Sequence, residues 1–115
     1  MHPFKFKAKS FDGRWIISDS YEHANNENIF VGDSRVQPAS VSLFTGLFDA
    51  NAEPVFEGDI LSVDTSTLTV EVVIVWNYSD AKFQANRTIG GKFSDLSKAK
   101  VSHWNIIGHY FDRLH

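Results

Sequence analysis

Apolar and polar residues alternate with a period of two along most of this chain. Phe4, Phe6 and Ala8 interleave with Lys5, Lys7 and Lys9, the pattern of a strand with one wet face. Asp12-Gly13 follows, a pair that tolerates positive φ, and Trp15-Ile16-Ile17 lies beyond it. A hairpin from about Lys5 to Ser18 is therefore predicted. Asp19–Asn28 is polar and reads as a surface loop or one helical turn, and Ile29-Phe30-Val31 as a short strand ending at Gly32-Asp33. Val41–Leu47 and Pro54–Phe56 flank a predicted turn over Phe48–Glu53. Glu57-Gly58-Asp59 reads as a tight surface turn leading into Ile60–Val63. Gly58 would supply a conformation costly for other residues, Asp59 would bind nearby backbone amides, and Glu57 would stay solvated.

The strongest strand signal is Thr67–Asn77, where Leu68, Val70, Val72, Ile74 and Trp76 share one face. Val73 and Val75 make the other face apolar as well, as expected of a central strand or one covered by another chain. Asn77–Asp80 then forms a hairpin loop, and Ala81, Phe83 and Ala85 alternate until Gly90-Gly91 breaks the pattern. Phe93–Lys100 is the one predicted helix, with Ser94 as N-cap, and a last strand runs from Val101 to about Phe111. Short strands at regular spacing with little helix predict a small barrel or sandwich.

Composition narrows the chemistry. The 115 residues fit one domain spanning 1–115, and 43% hydrophobic against 22% charged is the balance of a folded chain. With no cysteine, disulfides, thiolate metal sites and cysteine nucleophiles are excluded. The net charge of −3 argues against nucleic-acid binding driven by bulk electrostatics. The longest uninterrupted apolar run is Val72–Trp76, far short of the roughly 20 residues of a membrane helix, so no membrane partner is expected. Lysines interrupt the first ten residues where a signal peptide would be apolar, so the expected location is cytoplasmic.

The segment Pro38–Leu61 reads PASVSLFTGLFDANAEPVFEGDIL. Leu43-Phe44-Thr45-Gly46-Leu47, Asp49, Asn51, Glu53, Val55-Phe56 and Glu57-Gly58-Asp59-Ile60-Leu61 resemble the core signature of the YopX family, small proteins of bacteriophages and prophages. Lys5–Lys9 with Asp12–Ile16, Val73–Trp76 with Ala81–Phe83, and Ile106–Phe111 resemble the family's other blocks, in family order. Ala52 stands where the family usually has a turn glycine, and His109 where it usually has asparagine. The resemblance implies a mainly β fold with a small SH3-like barrel, additional strands and one short helix or helical turn. It implies a phage or prophage origin and a bacterial host cell, and carries over no catalytic residues.

Read directly, the residues offer binding candidates rather than a reaction. His103 and His109 are too far apart on one straight strand to share a metal, and His2, His23 and His115 lie at the ends or in a polar loop, so no metal and no cofactor is expected. Gly90-Gly91-Lys92 lacks the spacing of a phosphate loop. Glu57 and Asp59 are assigned to their turn, with Gly58, and Gly46 to another turn. Trp15, Trp76, Tyr78 and Trp104 sit at strand ends or beside turns, where they either contact a ligand or plug a barrel end. Lys5, Lys7 and Lys9 line one strand face, either as a basic footprint or as a guard against edge-to-edge pairing. The expected function is non-enzymatic: a module binding another phage or host protein, or self-associating into a homo-oligomer through Val72–Trp76. The alternative is a nucleic-acid-binding accessory protein using the lysine face and exposed tryptophans.

Overall fold

A computed structural model describes residues 5–25 and 27–114. The expectations placed on His2, Phe4 and His115 lie outside the described residues. The fold is mainly β, and the chain forms two compact units, residues 1–44 and 45–115.

In the first unit, β1 (Phe6–Lys9) and β2 (Trp15–Ser18) form the predicted antiparallel hairpin, with Lys9 opposite Trp15 and Phe6 opposite Ser18. The other side of β1 pairs with Ser42 and Leu43, the start of β6 (Ser42–Phe48). A three-stranded meander follows the hairpin: β3 (Tyr21–Asn25), β4 (Asn28–Val31) and β5 (Ser34–Val36). The expectation of a loop or helical turn over Asp19–Asn28 is thus corrected. Every residue of β3 is exposed, so no apolar alternation marks it, and its strand form comes from pairing with β4. Ile29 and Val31 of β4 bury with Ala8 and Val36, and Phe6, Ile16 and Val41 pack around them. After a short 3-10 turn at Pro38–Ser40, the buried Ser40 hydroxyl accepts from Lys9 N at 2.8 Å and donates to Gln37 O. That bond ties the turn to β1.

The second unit contains the end of β6, then β7 (Pro54–Phe56), β8 (Asp59–Asp64), β9 (Thr69–Asn77), β10 (Lys82–Arg87), β11 (Lys92–Asp95) and β12 (Asn105–His109). Five of these form one antiparallel sheet, ordered β11-β10-β9-β8-β12, which curls into a half-barrel. Val70, Val72 and Ile74 of β9, Leu61 and Val63 of β8, Val55, Ala85, Val101 and Trp104 fill its core. Removal of such side chains from water is the main favourable contribution to folding. Among the described residues no helix is long and apolar enough to cross a membrane.

Four expectations in this unit are corrected. The predicted helix over Phe93–Lys100 is instead β11 followed by a one-turn α1 (Lys98–Val101). Ser97, not Ser94, caps it, its hydroxyl accepting from Lys100 N at 3.2 Å. β11 forms because Ser94 and Asp95 pair with Ala85 and Gln84, while Phe93 packs on the core and meets Trp104 edge-on. The last strand does not run from Val101 to Phe111: it ends at His109, and a second helix, α2 (Tyr110–Leu114), follows. Leu68 falls in the turn before β9 and is exposed. Val73 and Val75 are half-buried rather than buried. Glu71, on the same face as Val73, is gripped by Arg113 of α2 through two hydrogen bonds of 2.5 and 2.8 Å, which lays α2 over that face.

Candidate functional site

The Glu57-Gly58-Asp59 turn has the structural duty assigned to it, but in a different setting. Asp59 is 0% exposed and accepts from Phe56 N at 2.7 Å, and Glu57 is half-buried; neither lies on an open surface turn. The reason is the closing strand. His109 pairs with Asp59 across β8 and β12, Tyr110 N donates to Gly58 O at 2.8 Å, and the imidazole lies over the glycine. A Cβ on Gly58 would sit 2.5 Å from His109 Nε2, and the glycine holds φ +87°. His109 Nδ1 accepts from Phe111 N at 3.0 Å, so Nε2 carries the ring proton and donates to Glu57 O at 3.1 Å. This one side chain joins the 57–59 turn to the start of α2.

A second polar staple sits earlier in the same segment, at Asp49. The buried carboxylate of Asp49 accepts from Asn51 N and Glu53 N through Oδ1, both at 2.9 Å, and from Ile106 N through Oδ2 at 3.1 Å. Ala50 N adds a bond to Trp104 O at 2.8 Å. Three backbone donors on one carboxylate are worth more than ordinary neutral hydrogen bonds, and they close the β6–β7 turn onto β12. Upstream, the Thr45 hydroxyl donates to Val55 O at 2.7 Å, and Gly46, expected in a turn, instead lies within β6, where it takes φ +85°. The role of Asp49 was missed in the pattern reading. Its signal was an aspartate followed two and four residues later by the amides of an Asx-type turn. Ala52 adopts φ +61°, the conformation for which the family's glycine is suited.

The remaining candidates do not converge on one place. Trp104 is 5% exposed and belongs to the core, so it is corrected from a binding candidate to a packing residue. Trp76 is half-buried and meets Phe83 edge-on at 4.9 Å. Tyr78, by contrast, is 87% exposed at the tip of the β9–β10 hairpin. Of the described phenylalanines, Phe56 and Phe111 are buried, Phe6, Phe83 and Phe93 are half-buried and pack against the cores, Phe30, Phe44 and Phe48 are half-buried, and Phe11 is exposed. In the first unit Lys7 and Lys9 do gather at Trp15, their ammonium groups 5.1 and 5.7 Å from its ring centre, a cation–π arrangement. Lys5 is exposed. His103 falls in the turn after α1, not on a strand with His109. Among the described residues no three His, Asp or Glu side chains group to hold a metal.

Several charged side chains of the second unit are paired at its surface. Glu71 accepts from Arg113 and from the Thr88 hydroxyl, and these bonds pull its carboxyl from the ordinary 4.5 to about 2. Asp95 takes Lys92 at 2.7 Å and Lys82 at 3.2 Å, which hold its carboxyl below the usual range. A hollow of about 400 Å³ lies between Gly46–Ala50, with Ala52, and the Lys98 and Ser102 side of α1. A second, of about 310 Å³, also has Leu47 in its lining, together with Phe83, Leu96 and the Lys82–Asp95 pair.

These observations define a small mainly β protein whose most distinctive polar residues brace its turns and whose surface offers apolar contacts. A family model described as YopX protein matches residues 3–113, nearly the whole chain and both of its units. The chain belongs to the YopX family. A comparison with curated proteins gives no match.

Proposed function

We propose that this YopX-family chain is a non-enzymatic binding module of phage or prophage origin, working in the cytoplasm of a bacterial host. Its partner is a protein, either a host or phage protein or a second copy of the chain. One observation carries this reading. In the first unit Tyr21 stacks on Phe6 at 5.2 Å, and Leu43 lies directly opposite Phe6 on the adjoining strand. Tyr21 and Leu43 remain 41% and 47% exposed, so a tyrosine and a leucine stand in solvent beside the half-buried Phe6. Clustered apolar side chains left in water mark contact surfaces, whereas single ones do not.

The same unit supports protein over nucleic acid. Lys7 and Lys9 lie over the ring of Trp15, which a stacked base would need free. The test is light scattering across a concentration series, with capture of partners from induced host cells, for the wild type and the Tyr21→Glu/Leu43→Glu variant. The wild type should form a defined oligomer or retain a defined protein, and the folded variant should lose it. A wild type that stays monomeric and retains nothing, or a variant that behaves identically, overturns the reading. Salt-sensitive binding of DNA by the wild type would replace it with the nucleic-acid alternative.

A further inference from the structure

We infer that the two hollows flanking Leu47 in the second unit form a groove for an extended peptide of a partner protein. An apolar residue would enter the larger hollow, with an acidic residue beside it on Lys98. This deepens the reading of the chain as a protein-binding module and rests on it.

The larger hollow exists because its walls are small. Gly46 has no side chain and nothing within 4 Å of where a Cβ would stand, and Ala50 and Ala52 offer methyl groups. Its opposite wall is α1, where Val101 turns into the core and leaves Lys98 and Ser102, four residues apart, on the outer face. At about 400 Å³ the hollow falls in the size range of ligand pockets and takes an aliphatic side chain with room to spare. Asp49 also lines it, with both carboxylate oxygens turned to backbone N–H groups.

Charge selects the partner. Lys82 and Lys92 are spent on Asp95, and Lys100 donates to the Ser94 hydroxyl at 2.9 Å. The side-chain ammonium of Lys98, at the rim of the larger hollow, makes no hydrogen bond or ion pair with any described residue. An unpaired ammonium beside an apolar hollow complements an apolar side chain with a neighbouring carboxylate. The smaller hollow has the Lys82–Asp95 pair at its edge and is balanced in charge.

The pairing of the hollows points to a peptide. Leu47 lines both and, in this proposal, is the divide between them. In an extended chain alternate side chains lie on one face, about 6.7 Å apart, so residues i and i+2 can straddle such a divide. A compact ligand filling one hollow would leave the other open.

The experiment titrates the isotope-labelled full chain with short blocked peptides and follows its backbone amide signals. The probes are acetyl-Glu-Leu-Ser-Leu-amide and acetyl-Leu-Ser-Leu-Glu-amide, each with a version carrying Lys for Glu and one carrying Ser for both leucines. Signals of Gly46–Ala50 and Ser97–Ser102 should move at about millimolar peptide for one acidic probe. Replacing Glu by Lys should weaken binding about 3- to 10-fold, and Lys98→Glu should reverse that preference. Ser102→Trp, filling the hollow, should abolish the shifts while the rest of the spectrum stays in place. No shifts at these residues, or shifts indifferent to the leucines or to the charge, overturn the groove. If the groove fails while Tyr21 and Leu43 still mediate assembly or capture, the binding-module reading survives without it. If both fail, the reading falls as well.

Discussion

Asp12-Gly13 and Gly58-Asp59 look alike in the sequence, each pairing an aspartate with a glycine between two strands. Their backbones also match, with Gly13 at φ +88° and Gly58 at φ +87°. The surroundings differ. Asp12 lies in solvent between the Ser10 hydroxyl and Arg14, which together hold its carboxyl below the usual range, and the space beside Gly13 is empty. Asp59 is shut away from water, bound to Phe56 N, and its glycine lies under His109. The residue pair sets the turn conformation; burial and a distant third residue decide how much stability depends on it.

The largest expected effect is at Gly58. Gly58→Ala must hold alanine at positive φ and displace His109 from its bonds to Glu57 O and to Phe111 N, a combined cost of about 3–5 kcal/mol. Gly13→Ala carries only the backbone cost, about 1 kcal/mol. Denaturant unfolding of both variants checks the contrast, and equal losses would erase it. Adding His109→Ala to Gly58→Ala should cost less than the two single changes together, because the clash is then absent.

Next come the carboxylates. Asp49→Ala strands three backbone donors and should cost about 2–4 kcal/mol; Asp59→Ala strands Phe56 N–H and should cost about 1–3 kcal/mol. Asp12→Ala should change the unfolding midpoint least, since water replaces the lost partners. A large loss there would show that exposure is not what separates the two turns.

A third turn sharpens the comparison with the opposite sign. Ala52 already occupies φ +61° and is exposed, so Ala52→Gly should stabilise by about 0.5–1 kcal/mol and raise the thermal midpoint. A lowered midpoint would mean that the flexibility glycine brings to the unfolded chain outweighs the relief.

The smallest effect concerns the exposed Glu71–Arg113 pair. Because the folded state holds the Glu71 carboxyl at about 2 against an ordinary 4.5, its contribution is present above about pH 4.5 and fades as pH falls toward 2. Solvent at the pair keeps the amount small. Arg113→Ala should lower the midpoint slightly at neutral pH, and the difference from wild type should shrink as the solution is acidified through that window. An undiminished difference at the acid end would assign the effect to α2 packing instead of the ion pair.

Legibility followed the range of the interactions. The β1–β2 hairpin, β9 and the β9–β10 turn were readable because alternation and turn residues are local signals. β3 was not, because Tyr21–Asn25 presents no buried side chain and owes its form to β4. The shift of the cap from Ser94 to Ser97 was equally hidden, since it depends on β10 drawing Ser94 and Asp95 into the sheet. Of the site candidates, Lys7 and Lys9 were read as one face, but their meeting at Trp15 required the hairpin register. Trp104 and Tyr78 both stood beside turns, and only packing separated a core plug from an exposed ring.

The sequence by itself determined the class of fold, the family and the placement of most strands and turns, because period-two alternation and turn-forming residues act over a few positions. The tertiary structure decided the rest. It brought His109 onto Gly58 and Ile106 onto Asp49, each more than 50 residues away along the chain. It also set Leu47 into the lining of two hollows whose other residues include Phe83 and Lys98, far along the chain. Burial and charge pairing are properties of neighbours in space, and no local pattern of residues encodes them.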